Sequence, residues 1–444
     1  MTSPKRWYRL KILLALSLVY GCGTRDPISG EGPAGYFQLF DFSDYKLLSA
    51  GEIDQLKASG LVEANNRFGF DLFKQIYEQA PGQNHFYSPV SVALALQMAL
   101  QGADADTLNQ MRRVLKLENI DNKQLLQAVP LLVRKLHRPT HDVTLETANS
   151  LWLSPKFNFK ADFLAAVQKP FDAELAILDS NPAQAVNRIN AWAAKTTHDK
   201  IPTVISNIDP QTAVAYLLNA LYFKASWTYR FDKAETQPDN FYLEAGDSKQ
   251  VEMMRQFGDF LYHPPRQDFP HQGLRLPYGQ AGKLAMYVFM PSAGQNLASL
   301  QKDLQSSEFA TVRSTFYRET GSIRLPKFTL NQEQRLNQHL LNLGMPLALD
   351  KAQANFSKIA ALKPEQQGNI FLSDIQQKAF VDVNEEGTEA AVVTSVGFSF
   401  GPSSAPPRLD IKIDHPFMFL IRDDDTGQIL FMGSITDPTA GSAG

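Results

Sequence analysis

One cysteine, Cys22, is all the thiol chemistry this chain has, so no internal disulfide can form. An excess of one charge is also missing. Lys and Arg number 43 against 46 Asp and Glu, and the net charge of -3 gives no general argument for nucleic acid or an anionic surface as partner. No apolar run is long enough for a stable transmembrane helix. There is no Gly-x-Ser-x-Gly elbow and no phosphate-binding glycine loop. Ser299 and Lys302 stand at the spacing of some acyl-transferring hydrolases, but in a polar stretch without the companion motifs that those enzymes need. His137 and His141 are four apart, yet Pro139 keeps them off one regular helix face, and no glutamate completes a zinc motif. Asp423-Asp424-Asp425 lacks the later glutamate of a calcium loop. The expectation is therefore a protein that is not an enzyme and holds neither metal nor cofactor.

What is present is the composition of a soluble globular protein, 44% hydrophobic and 20% charged over 444 residues. From about Arg67 onward no linker, repeat or low-complexity tract divides the chain. Helical patterns come early and alternating strands late, which predicts an α+β fold. Asn66 is placed to cap a helix over Phe68–Gln79, whose Phe68, Leu72, Phe73 and Ile76 form one apolar stripe. Ser88 or Ser91 lies near the start of a second helix, Val92–Gln101, and Asn187–Lys195 gives a third with Ile189 and Trp192 inward. Leu284–Met290, Ser322–Leu330, Lys378–Val383, Asp410–Ile413, Phe417–Arg422 and Ile429–Ser434 read as strands, the last two joined by a turn at Asp424–Gly427.

The amino terminus differs in kind. Lys5, Arg6, Arg9 and Lys11 precede the short apolar run Ile12–Val19, and Tyr20-Gly21-Cys22 follows. A positive start, a short apolar core and a small residue before a break describe a secretory signal peptide over 1–22. Gly21-Cys22 resembles a bacterial lipoprotein processing site, with Cys22 as the lipidated residue. Val19 fits that pattern and Tyr20 is bulkier than usual; a plain signal peptide with an incidental cysteine is the alternative. Gly23 is compatible with sorting to an outer membrane. The expectation is an exported protein, either a cell-envelope lipoprotein at the outer membrane or cell surface, touching membrane only through Cys22, or a secreted one. Residues 23–60 read as a tether and lead-in.

The segment Val383–Ser399 combines strand competence with loop punctuation. Thr388, Ala390, Val392, Thr394, Val396 and Phe398 fall on one face, and Glu389, Ala391, Val393, Ser395, Gly397 and Ser399 on the other. No proline or glycine interrupts Thr388–Val396, so every backbone N–H there is free to join a ladder. Loop chemistry follows from Gly401 to Pro407. The plain alternative is an ordinary strand and a linker.

Asn384-Glu385-Glu386-Gly387-Thr388-Glu389-Ala390-Ala391 resembles the hinge of inhibitory serpins. Other serpin-like motifs follow one another in the family's order: Phe86–Ser91, Thr147–Trp152, Ile189–Trp192 with Thr197, Lys200 and Ile201, Leu218–Trp227, Val251–Met254, Leu276–Tyr278, Leu325–Phe328, and His415–Phe417 with Phe431–Gly433. The resemblance implies one serpin domain over 61–444. Its α+β fold has a large central β-sheet, two further sheets, about eight or nine helices and an exposed reactive-centre loop at about 385–408.

The implied activity is irreversible suicide inhibition of serine endopeptidases, with cysteine endopeptidases as a further target class. Cleavage of the loop frees a segment that inserts as a strand of the central sheet and carries the acyl-enzyme with it. Roughly fifteen residues at ~3.3 Å each span ~50 Å, enough to drag a protease far from where it docked. The implied hinge is Glu385, Glu386, Gly387, Thr388, Glu389, Ala390 and Ala391. Val392 and Val393 depart from the family's small residues there; they favour strand once inserted but slow insertion. Ser88, Ser91 and Asn219 fall where the family keeps a polar cluster beneath the sheet that must open. The family's usual histidine is replaced by Gln377, which donates and accepts but does not titrate near neutrality. Trp227 falls at the top of that sheet. A helix cap for the serines and a plain core role for Trp227 are the simpler readings.

Family spacing from Gly387 puts the reactive residue near Gly401, and spacing back from Pro416 puts it near Ala405; both precede proline. Phe400 is the first candidate, then Phe398, with Ser399 and Gly401 beside them. The phenylalanines suit chymotrypsin-like or subtilisin-like proteases, Ser403 and Ser404 elastase-like ones, and Arg408 trypsin-like ones. A monomer with a protease partner is expected. The alternatives are a non-inhibitory serpin with a binding or chaperone-like role, and a protease substrate that cleavage merely stabilises.

Overall fold

The computed structural model describes residues 47–139, 142–208, 214–362, 369–388 and 409–440. Seven helices occupy the first half: α1 (Ala50–Ala58), α2 (Leu61–Gln79), α3 (Pro89–Leu100), α4 (Ala105–Val114), α5 (Asn122–Lys135), α6 (Ala161–Phe171) and α7 (Pro182–Thr196). Four shorter ones follow: α8 (Leu297–Asp303), α9 (Ser306–Ser314), α10 (Asn337–Asn342) and α11 (Pro346–Leu349). The described residues thus hold more helices than the expected eight or nine. The surplus lies in pieces such as α10 and α11, of 6 and 4 residues, too short to show a 3.6-residue period.

The strands, in chain order, are β1 (His85–Tyr87), β2 (Arg138–Pro139), β3 (Val143–Leu153), β4 (Asn158–Phe159), β5 (Ala173–Ile177), β6 (Ala215–Ser226), β7 (Gln237–Tyr242), β8 (Ser248–His263) and β9 (His271–Tyr278). They continue with β10 (Leu284–Pro291), β11 (Tyr317–Pro326), β12 (Phe328–Arg335), β13 (Ala360–Ala361), β14 (Gln376–Asn384), β15 (Gly387–Thr388), β16 (Leu409–Lys412), β17 (Phe417–Asp423) and β18 (Ile429–Ile435). Three sheets result. A nine-stranded sheet runs β1-β18-β17-β10-β9-β8-β11-β16 with β7 on β8. A seven-stranded sheet runs β12-β14-β15-β6-β3-β2 with β5 on β3, and β13 pairs β4. Between the two large sheets lies α3, which touches both β6 and β18. Apolar on nearly every side, it is buried except at Ala95, as a helix wedged between sheets must be.

Two sequence expectations are corrected. Asn66 does not cap a helix. The capping position of α2 is Gly60, and Asn66 lies inside the helix with its side chain on the last hairpin. Its amide donates to Gly427 O at 2.9 Å, and its oxygen accepts from Ile429 N at 3.0 Å and Gln428 Nε2 at 3.1 Å. Nor is Ser322–Leu330 one strand. Ile323 and Leu325 are buried on odd positions, Phe328 and Leu330 on even ones. That one-residue change of phase turns the chain out of the nine-stranded sheet after Pro326 and into the seven-stranded sheet at Phe328. Upstream, the end of the lead-in carries α1, started by a capping box between Ser49 and Glu52.

Candidate functional site

The seven-stranded sheet has an unusual join. Among the described residues β14 and β6 form no ladder with each other; the two residues of β15 pair with both. Thr388 faces Val383 on one side and Ala225 on the other, and Gly387 faces Asn384 and Ser226. The strand approaches so closely that a Cβ on Gly387 would lie 2.7 Å from Ser226 Cα and collide with Ala225 O. Only glycine fits there.

The turn between β14 and β15 is anchored from below. Trp227 donates its backbone N–H to Glu386 O at 2.9 Å and its indole N–H to Asn384 O at 2.9 Å, while Phe231 N donates to Glu385 O at 3.0 Å. Glu385 is 5% exposed. Its carboxylate accepts from Thr236 Oγ1 at 2.9 Å and pairs with Lys327 Nζ at 3.1 Å. Burial alone would raise its pKa, but its own backbone N–H, Thr236 and Lys327 together hold it below the ordinary glutamate value. Glu386 meets Lys233 Nζ at 2.6 Å on the exposed side. Thr388 is buried, and its hydroxyl shares a 2.6 Å hydrogen bond with the Tyr278 hydroxyl. Tyr278 stacks on Trp227, ring centroids 4.3 Å apart.

Lower in the sheet a second polar group ties β14 to α3. Gln377 clamps the backbone of Ser88: Ser88 N donates to Gln377 Oε1 at 2.9 Å, and Gln377 Nε2 donates to Ser88 O at 3.0 Å. Ser88 itself caps α3, its hydroxyl accepting from Ser91 N at 3.3 Å. On β6, Asn219 Nδ2 donates to Asn149 Oδ1 at 2.7 Å and to Thr147 Oγ1 at 3.1 Å, both on β3. Its oxygen is buried with no partner among the described residues.

The profile of the serpin (serine protease inhibitor) family matches residues 63–438. The chain is a serpin. An uncharacterized serpin-like protein of Methanosarcina mazei is 31% identical over 395 residues, 87% of this chain and 89% of that protein. The leukocyte elastase inhibitor of Equus caballus is 33% identical over 388 residues, 85% of this chain and 99% of its own. Among solved structures, human thyroxine-binding globulin superposes with a TM-score of 0.76 at 26% identity, covering 86% of this chain and 99% of that one.

In this serpin the residues singled out from sequence divide into three groups. Glu385, Glu386, Gly387, Thr388 and Trp227 come together at the top of the sheet. Ser88, Ser91 and Gln377 meet at the start of α3, and Asn219 bonds to β3 instead. The remaining hinge positions Glu389, Ala390 and Ala391, the candidates Phe398, Ser399, Phe400 and Gly401, and Cys22 lie outside the described residues. Sequence reasoning missed Thr236, Lys327 and Tyr278, because each reaches the hinge only through the fold. Leu276–Tyr278 and Leu325–Phe328 stood out as motifs, yet nothing local in them names a partner.

Proposed function

We propose that this serpin is a suicide-substrate inhibitor of serine endopeptidases. The observation that carries the reading is β15: Gly387 and Thr388 already occupy one strand position with a partner on each side. A protease serine attacks the carbonyl of the reactive residue, Phe400 by preference. The ester C–O bond forms, the peptide C–N bond breaks, and the amine leaves with the segment that begins at Gly401. The chain before the cut is then free to extend β15 between β14 and β6, gaining backbone hydrogen bonds on both sides. Release of strain stored in an uninserted strand is the general device, for which serpin loop insertion is the standard example. Inhibition is a race between that insertion and hydrolysis of the ester. Alanines at 390 and 391 favour speed, and Val392 and Val393 work against it.

The preferred targets are chymotrypsin-like or subtilisin-like enzymes, with elastase-like ones next, attacked by a monomer. Export with attachment through Cys22 is part of the same proposal, supported by Lys5–Cys22. Incubation of protein lacking residues 1–22 with chymotrypsin and with an elastase is expected to give a complex that survives denaturing electrophoresis. The released carboxy-terminal peptide then identifies the cut. A second reading has its own support: the likeness to thyroxine-binding globulin and the two valines fit a serpin that binds rather than traps. Loop cleavage without complex across several serine and cysteine proteases would transfer the assignment to that reading.

A further inference from the structure

Among the contacts that hold the hinge is one made by Tyr278, which no hinge motif announces. Tyr278 is 1% exposed and so is Thr388, and their hydroxyls lie 2.6 Å apart. The phenol cannot swing aside. Its ring stacks on Trp227 at 4.3 Å and 11°, meets Phe223 edge-on at 5.3 Å, and its backbone bridges Trp227. Trp227 is fixed in turn by its indole bond to Asn384 O. If Thr388 leaves the ladder, a hydroxyl is stranded in a collar of aromatic rings, where water is excluded and an unmade hydrogen bond is costly. We propose that Tyr278 is a positioning residue that reads the hinge: its rigid, buried hydroxyl holds position 388 in the ladder and selects a hydroxyl-bearing side chain there.

In the inhibitor this contact keeps the first inserted residues seated before cleavage, so insertion starts from an existing strand end. That consequence rests on the proposed inhibitory function; the contact itself does not. The two are separated by measuring both in the same proteins. Native-state hydrogen exchange of the peptide spanning 384–388 is followed in the intact chain and in Tyr278→Phe, Thr388→Val, Thr388→Ser and Tyr278→Phe/Thr388→Val. Losing a buried hydroxyl partner is expected to speed exchange there about 5- to 150-fold in Tyr278→Phe and in Thr388→Val. The double variant should be no faster than either single one, because each change removes the same bond. Thr388→Ser keeps the hydroxyl and should stay within about twofold of the natural chain.

Unchanged exchange in either single variant, or losses that add in the double variant, overturns the assignment. With chymotrypsin, the two single variants are expected to yield more cleaved product per complex formed, and Thr388→Ser to restore the natural ratio. Expected exchange behaviour without complex formation by any of the proteins, the natural chain included, upholds Tyr278 as the reader of the hinge while removing the inhibitor proposal.

Discussion

Glu385 is a carboxylate in a place where a carboxylate is expensive, and its three donors decide its charge. Lys327 is 38% exposed on its side chain, so solvent screens its share of the attraction. Thr236 and the residue's own N–H are not screened in the same way. Replacing Glu385 by Gln removes the charge while keeping the shape, and at neutral pH this should cost about 1–2 kcal/mol. The sign with pH follows from the lowered pKa. Its contribution is complete above the ordinary glutamate value of 4.5 and is lost as pH falls through the depressed folded value. Paired thermal melts of the natural chain and Glu385→Gln should therefore converge in acid. A gap that stays constant down to the lowest pH would show that Glu385 acts through shape and not charge.

At the scale of elements, the clamp between Gln377 on β14 and Ser88 at the head of α3 couples the seven-stranded sheet to the wedge helix. It needs one acceptor for Ser88 N and one donor for Ser88 O, and an amide supplies both at every pH. A histidine supplies both only when neutral. Gln377→His should thus leave stability near that of the natural chain at high pH and lose it as pH falls below about 6.5, because the imidazolium cannot accept from Ser88 N. Denaturant melts of both proteins across that range test the point, and parallel curves would refute it.

The clamp also shows what the sequence made legible. Ser88 and Gln377 were recognisable from local motifs, as were the Gly387 hinge and the final hairpin, because each is defined by a few neighbouring residues. Asn66 was misread because a polar residue before an apolar stripe looks like a cap, whereas its partners lie about 360 residues away on Gly427 and Ile429. The division of Ser322–Leu330 was visible in principle as a change of phase. Partners of the hinge such as Tyr278 and Lys327 were not, since no local pattern encodes a contact made by a distant part of the chain.

Across the whole molecule, burial has a cost that pH can expose. His85, His137, His263, His271 and His339 are all buried, and burial lowers the pKa of each below the usual 6.5. His85, His263 and His271 stand in the nine-stranded sheet, His339 in α10 and His137 between α5 and β2, so the effect is not confined to the hinge. His271 is partly compensated by Asp303, 3.0 Å from its Nε2, and His85 by Ala80 O at 2.7 Å, yet desolvation prevails at both. A histidine kept neutral in the fold takes up its proton on unfolding. Stability is therefore complete above about pH 6.5 and falls as pH drops from there toward the lower folded values, by up to about 1.4 kcal/mol per pH unit for each site. The depressed carboxylates Glu385, Asp425 and Asp437 lose their contributions only at lower pH, as pH falls below their ordinary values. Two acid phases are thus expected, one from the histidines below about pH 6.5 and one from the carboxylates at lower pH. Calorimetric melts between about pH 7.5 and 5.5, in buffers of different ionisation enthalpy, should show a falling midpoint and net proton uptake on unfolding. A midpoint independent of pH in that window, with no proton uptake, would mean that the buried histidines keep their protons on both sides of the transition, and that their surroundings in the fold tolerate the charge.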